Sequence, residues 1–190
     1  MLVWDMRNGV RVAKVQTLGN GEWRSVDNVP LNKLAGGCFL NGSGHWYGGA
    51  SIWSFHYGKE KFLRIPLPDD IIIINATYRK RVKNLAVLDS CLCVICFSFF
   101  NPRGSVAMDL WITKEYGVKE SWVRQIVTVN NEWCLPLMRT DKGKILIMRE
   151  NELYLCDPRT EVIERVKFEI NGHSKYTEQF AICDATFFRL

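Results

Sequence analysis

Three closely spaced cysteines are the first candidates for chemistry in this chain. Cys91, Cys93 and Cys96 stand in the apolar run "CLCVICFSFF". A zinc site usually combines a C-x₂-C knuckle with a second pair of Cys or His residues. No second knuckle follows, and the neighbours are Leu, Val, Ile and Phe. The pattern favours buried structural thiols, so neither a metal nor a cofactor is predicted.

Histidines and carboxylates do not form a catalytic pattern either. The three histidines are widely separated and lack H-x-H or H-E-x-x-H spacing: His45, His56 and His173. Asp69-Asp70 and the pair Glu115 and Glu120 lie in polar turns, where a solvated charge is more ordinary than acid–base catalysis. No G-x-S-x-G elbow is present. No catalytic residue is predicted, and the chain is expected not to be an enzyme.

The charge pattern excludes some classes of partner. The net charge of +5 is spread along the chain, and positive residues alternate with Asp and Glu outside "YRKRVK". Proteins that bind nucleic acid usually concentrate their charge in one stripe, so no nucleic acid is expected. No apolar run reaches about 18 residues, so no membrane partner is expected.

The start "MLVWDMRNGV" lacks a signal-peptide core, and the seven cysteines are odd in number. A reducing compartment, the cytoplasm and/or nucleus, is therefore predicted.

The elements that must position any site are short strands. Apolar or alternating runs such as "VRVAKVQT" and "SIWSFHY" are bounded by Gly, Asn, Asp and Pro, and helical periodicity is almost absent. Asn41-Gly42 predicts a tight hairpin turn, because both residues tolerate positive φ. "KEYGVKE" lies between "VAMDLWIT" and "WVRQIVTV" and predicts another turn, with Gly117 at positive φ and its charges in solvent. The chain is predicted to be all-β.

A repeat underlies these strands. A strand, a polar turn and a return strand recur, and the return strands begin near Trp23, Phe62, Trp122 and Val162. Hairpins that alternate about every 40 residues are typical of four-stranded propeller blades. We predict a partial β-propeller of about four antiparallel blades, open or incomplete; the family resemblance given below implies that it is kelch-like. A small open sandwich, complete in itself, is the alternative.

Aromatic and basic residues supply the candidate binding groups. The tryptophans within the repeat are predicted to fill the core between blades: Trp23, Trp53, Trp111 and Trp122. Exposed aromatics and arginines are common anchors of protein interfaces. Five residues near turns or in the basic segment are therefore candidate partner contacts: Tyr47, Arg79, Arg81, Phe100 and Arg103. Segment 78–83 also allows a nuclear-import signal, although a solvated basic loop is the simpler interpretation.

Five phrases in fixed order carry a resemblance to a known family. They are "VQTLGNGEWRSV", "FLNGSGHW", "SIWSFHYGKEKFLRIPLP", "LAVLDSCLCVICF" and "DLWITKEYGVKESWVRQ". Over roughly residues 12–165 the chain resembles the F-box-associated domain of plant F-box proteins. The resemblance implies that 1–190 is a single F-box-associated β domain whose N-terminal F-box and first blades are absent.

The resemblance also implies a function. Such a domain is the substrate-recognition part of a Skp–cullin–F-box ubiquitin ligase and binds a target protein for ubiquitylation. A Skp-type adaptor would bind only through the missing N-terminal F-box. The alternative is a carbohydrate-binding, lectin-like β domain that stacks exposed aromatic rings on sugars.

Overall fold

Nearly every regular element in this protein is a strand. The computed structural model describes residues 2–7, 10–19, 21–30, 34–71, 81–100, 105–129, 134–149, 152–160, 162–166, 169–170 and 173–174. The strands are β1 Leu2–Arg7, β2 Val10–Gln16, β3 Trp23–Val26, β4 Ala35–Leu40, β5 Ser43–Tyr47, β6 Ser51–His56, β7 Lys61–Pro66, β8 Arg81–Leu88, β9 Cys91–Phe100, β10 Ser105–Thr113, β11 Trp122–Val129, β12 Cys134–Arg139, β13 Ile145–Arg149, β14 Glu152–Asp157, β15 Val162–Arg165, β16 Glu169–Ile170 and β17 His173–Ser174. A 3-10 helix spans Lys119–Ser121, and residues 69–71 are helical.

The strands form antiparallel meanders in chain order. Sheet A is β1-β2-β3, sheet B is β4-β5-β6-β7, sheet C is β8-β9-β10-β11 and sheet D is β12-β13-β14-β15, while β16 and β17 pair separately. Each strand pairs with its neighbour in the sequence because the connections are short enough for hairpins. The all-β prediction is confirmed, and the return strands β3, β7, β11 and β15 begin at or one residue from the predicted positions.

Positive-φ residues make the tight turns. Asn41 and Gly42 have φ values of 49° and 70° between β4 and β5, and Asp89 and Ser90 have 52° and 58° between β8 and β9. Two consecutive positive φ values match the twist of the flanking strands. Gly117 has a φ of 82° in the turn between β10 and β11, as predicted.

Three buried clusters join the sheets face to face in the same order. Between sheets A and B the cluster contains Ala13, Val15, Val26, Phe55 and Phe62. Between B and C it contains Leu40, Ile52, Ile65, Leu67, Ile71, Leu85, Leu92, Val94, Cys96, Trp111 and Trp122. Between C and D it contains Ala86, Leu88, Cys93, Ile95, Met108, Leu110, Ile112, Cys134, Ile145, Ile147 and Cys156. Each interface removes apolar surface from water, which is the main stabilising term of such a stack.

The first strands of sheets B, C and D lie next to one another. β4 contacts β8, and β8 contacts β12. In a propeller the first strand of each blade lies nearest the axis, so this order is propeller-like. In the part of the chain that the structure describes, the sheets do not close into a barrel. The prediction of a partial or open propeller-like arrangement is confirmed.

The tryptophans divide between buried and exposed positions. Trp111 and Trp122 are buried between sheets B and C, as predicted, and Trp53 packs at the edge of the cluster between A and B. Trp23 is 42% exposed, so its assignment to the core is wrong. Side chains alternate along β3, and Val26 occupies the packed face, which turns Trp23 away from sheet B.

Candidate partner-binding surface

Two aromatic side chains project from the turn end of sheet B. Phe39 on β4 is 64% exposed and Tyr57, which follows β6, is 37% exposed, with their ring centroids 6.1 Å apart. The ring of Tyr57 meets the buried Phe55 edge-on at 5.1 Å. Tyr57 therefore packs on the buried Phe55 ring, and Phe39 lies beside Tyr57. We call Phe39 and Tyr57 the aromatic rim.

The backbone beneath the aromatic rim is fixed by hydrogen bonds between two turns. The amide of Tyr57 donates to the carbonyl of Gly42 at 3.1 Å, so the turn after β6 is attached to the turn after β4. The amide of Lys59 donates to the carbonyl of His56 and to its Nδ1, both at 3.2 Å. A rigid support reduces the entropy that a binding surface loses when a partner docks.

An ion pair joins the same end of sheet B to sheet A. The Arg24 guanidinium donates from Nε to Glu60 Oε2 at 3.0 Å, and its Nη2 donates to Glu60 Oε1 and to Thr17 Oγ1. This hydrogen bond raises the pKa of Arg24 and lowers the pKa of Glu60. The pair lies in solvent and adds little stability. Its geometric effect is to hold the turns of sheets A and B side by side.

The turn between β10 and β11 crosses from sheet C onto sheet B. The Tyr116 hydroxyl and His45 Nε2 form a hydrogen bond of 2.7 Å. Lys119 Nζ donates to both carboxylate oxygens of Asp69, at 2.7 and 2.8 Å. The Lys119 and Asp69 side chains are 38% and 68% exposed, so the charge of Lys119 is paired but still in contact with solvent. We call residues 114–121 the clasp.

His45 lies fully buried under the clasp. Burial lowers the pKa of His45, because the charged imidazolium would lose its hydration. Histidine in an unfolded chain titrates near 6.5, so below that pH the unfolded chain binds a proton that the folded chain resists. The contribution of His45 to the free energy of unfolding is therefore complete above a pH of about 6.5, and it decreases as the pH falls below that value.

We therefore expect the His45→Gln variant to lose less stability than the wild type between pH 7 and pH 5. Urea denaturation at pH 7 and at pH 5 gives the free energy of unfolding at each pH. The change between the two values is the pH slope of each protein. Equal slopes for wild type and His45→Gln would contradict the assignment.

A pocket of about 370 Å³ opens next to the clasp. The described residues that line it are apolar or basic: Ala50, Arg64, Pro66, Leu67 and Lys119. The indole Nε1 of Trp122 donates to the carbonyl of Pro66 at 3.1 Å. This bond and the pair formed by Lys119 and Asp69 hold the two sides of the pocket in place.

A buried carboxylate lies in the interior of sheet C. Asp109 on β10 is almost fully buried, and the Arg124 Nη2 on β11 donates to its Oδ1 at 2.9 Å. The guanidinium carbon of Arg124 also lies 6.0 Å from the centroid of the Trp111 ring. The arginine covers an aromatic face and neutralises a buried acid at the same time.

The described cysteines are reduced thiols, and most of them are buried. Burial raises the pKa of Cys38 and Cys93 to about 12 and that of Cys134 to about 11. Such thiols stay protonated and are poor nucleophiles. Among the residues described, no three His, Cys, Asp or Glu side chains are grouped closely enough to hold a metal ion. No helix in the described ranges has the length and apolarity to cross a membrane.

Comparison with known proteins gives one informative similarity. No protein-family model matches the chain. The F-box protein At3g07870 of Arabidopsis thaliana is 29% identical over 112 residues. The similarity supports a relation to F-box proteins. The matched region is 54% of this chain and 24% of that relative, so the chain spans about a quarter of the relative's length.

Of the five residues predicted as partner contacts, the structure describes the side chain of Tyr47 alone. Tyr47 is half-buried against the cluster between sheets B and C, and burial raises its pKa. Arg81 begins β8 and Phe100 ends β9, but their side chains lie outside the description. Arg79 and Arg103 lie outside the described residues. Binding by any of the five stays a prediction.

The aromatic rim was not among the contacts predicted from the sequence. Phe39 and Tyr57 each lie next to a turn, in "CFLNGSG" and "FHYGKE". Aromatic residues within two positions of a hairpin turn often lie beyond the area that a neighbouring sheet covers. Their closeness to a turn is therefore a sequence signal for exposure. Tyr116 was counted only as a turn residue, because its contact with His45 joins positions 71 residues apart.

Proposed function

We propose that residues 1–190 are a single F-box-associated β domain that binds a target protein and presents it to a Skp–cullin–F-box ubiquitin ligase. The aromatic rim is the observation that carries this proposal. An exposed Phe and Tyr on a rigid support are suited to anchor a protein interface, where a few aromatic or arginine side chains supply most of the binding free energy. The similarity to an F-box protein and the propeller-like fold support the same function.

The proposed mechanism is positional. The domain holds its target near the ligase and so raises the target's effective concentration at the site of ubiquitin transfer. The domain itself makes and breaks no bond. In this proposal a Skp-type adaptor is bound by an F-box outside these residues, and the complex works in the cytoplasm and/or nucleus.

We expect the double variant Phe39→Ala and Tyr57→Ala to lose target binding without losing the adaptor. The full-length gene product is expressed in plant cells, and ubiquitylated proteins that increase with the wild type are quantified by mass spectrometry. Loss of two interface anchors should lower affinity for the target by about 30-fold or more. Binding to the Skp-type adaptor should not change.

A matched control removes exposed apolar side chains elsewhere. Met138→Ala with Val162→Ala changes two such residues of sheet D and should keep target ubiquitylation. Failure of the full-length product to bind any Skp-type adaptor would exclude the ligase function. A glycan-array signal that disappears in the rim variant would favour the lectin-like alternative instead.

A further inference from the structure

Strand β7 is an outer edge of sheet B. In the described part of the chain it pairs on one side only, with β6. The backbone groups on the open side of an edge strand can accept an extended peptide as an additional strand. Lys61, Leu63 and Arg64 are exposed along β7, and Pro66 ends it. The edge therefore offers both backbone and side-chain contacts to a partner.

This edge carries positive charge. Lys59 in the preceding turn and Lys61 at the start of β7 are exposed. The Arg64 guanidinium donates to the Ser51 hydroxyl. Within the described ranges no carboxylate lies at ion-pair distance from Arg64. The positive charge of Arg64 is therefore available to a partner.

Two acids that flank β7 in the sequence are already engaged, whereas the neighbouring Asp70 is exposed. Glu60 pairs with Arg24, and Asp69 pairs with Lys119. Neither acid is available to neutralise the cations of β7. A partner that approaches this edge consequently meets a surface that favours negative charge.

The pocket described above lies at the end of the same strand. Ala50, Pro66 and Leu67 are its apolar lining residues, and Arg64 brings positive charge to it. Lys119 also lines the pocket, but its charge is already paired with Asp69. Apolar pockets with a few convergent polar groups are the usual form of a specific binding site. A volume of about 370 Å³ accommodates the side chains of a short peptide segment.

We propose that β7 and this pocket bind an extended acidic segment of the target protein. The segment adds to the open side of β7 as a strand. An apolar side chain of the segment packs against Pro66 and Leu67, and a neighbouring carboxylate pairs with Arg64. The inference rests on the proposed function, because it names the chemistry of that function's target.

Selection of peptides on two forms of the chain tests this inference. A phage-displayed library of random short peptides is selected on the wild type and on Arg64→Glu. The wild type should enrich Asp or Glu beside apolar residues in alternating patterns. Arg64→Glu should lose the acidic enrichment and gain Lys or Arg, and an acidic peptide selected on the wild type should bind it about fivefold more weakly.

The control variant is Arg159→Glu, which reverses an exposed arginine in the turn after β14. It should keep the acidic enrichment, and thermal unfolding of both variants confirms that they are folded. Selection without acidic enrichment on the wild type, or the same enrichment on Arg64→Glu, would overturn the inference. If target ubiquitylation requires the aromatic rim but Arg64→Glu leaves target binding unchanged, the proposed function stands and this inference fails.

Discussion

Replacement of Trp122 by alanine is expected to lower the free energy of unfolding by about 4 kcal/mol. Trp122 is 8% exposed and lies in the cluster between sheets B and C, so truncation leaves a large cavity. It also removes the hydrogen bond from the indole Nε1 to the carbonyl of Pro66, worth about 1 kcal/mol within this total. Urea denaturation followed by tryptophan fluorescence and circular dichroism measures the loss.

Trp23 provides the matched control for this substitution. Trp23→Ala deletes the same side chain at a position that is 42% exposed and turned away from sheet B. The expected loss is about 1 kcal/mol or less. Equal losses for the two variants would mean that Trp23 belongs to a packed interface, as the sequence analysis first assigned it.

Replacement of Arg124 by leucine is expected to destabilise the fold by about 3 kcal/mol. Leucine keeps apolar contact with Trp111 but leaves the Asp109 carboxylate buried without its guanidinium partner. The loss of folding free energy from a buried charge without its partner is larger than the free energy that the intact pair contributed. Chemical denaturation at neutral pH measures the change.

A double variant shows whether the uncompensated charge causes this loss. Asp109→Asn combined with Arg124→Leu removes the charge and should recover at least half of the stability lost in Arg124→Leu. Arg159→Leu, which changes an exposed arginine of sheet D, should have little effect. No recovery in the double variant would show that packing of the arginine stem on Trp111, and not charge, dominates.

The parts of the fold that local chemistry determines were predictable from the sequence. Asn41-Gly42 makes a turn with positive φ because few other pairs tolerate it, and Gly117 does so for the same reason. Alternating apolar residues bounded by such turns leave few options other than hairpins. The positions of β3, β7, β11 and β15 followed from these local rules.

The binding surface was less predictable because it depends on which faces of the sheets are covered. Trp23 and Trp122 both start a return strand, yet one is exposed and the other buried. Among the described sheets, sheet A packs only against sheet B, whereas sheet C packs between sheets B and D, so Trp122 is covered and Trp23 is not. The exposure of Phe39 depends likewise on where sheets A and B stop packing. The pairing of Lys119 was not predicted because Asp69 lies 50 residues away in the sequence.

The order of the strands has a consequence for how the chain folds. Every pairing within sheets A to D joins strands that are consecutive in the sequence, so each sheet can form without waiting for a distant segment. Folding can therefore proceed sheet by sheet during synthesis, as in other repeat-like chains whose units contact only their neighbours. A variant that disrupts one interface between sheets should allow the two neighbouring sheets to unfold separately, while the strands within each sheet stay paired. We expect such variants to unfold in steps rather than in a single cooperative transition.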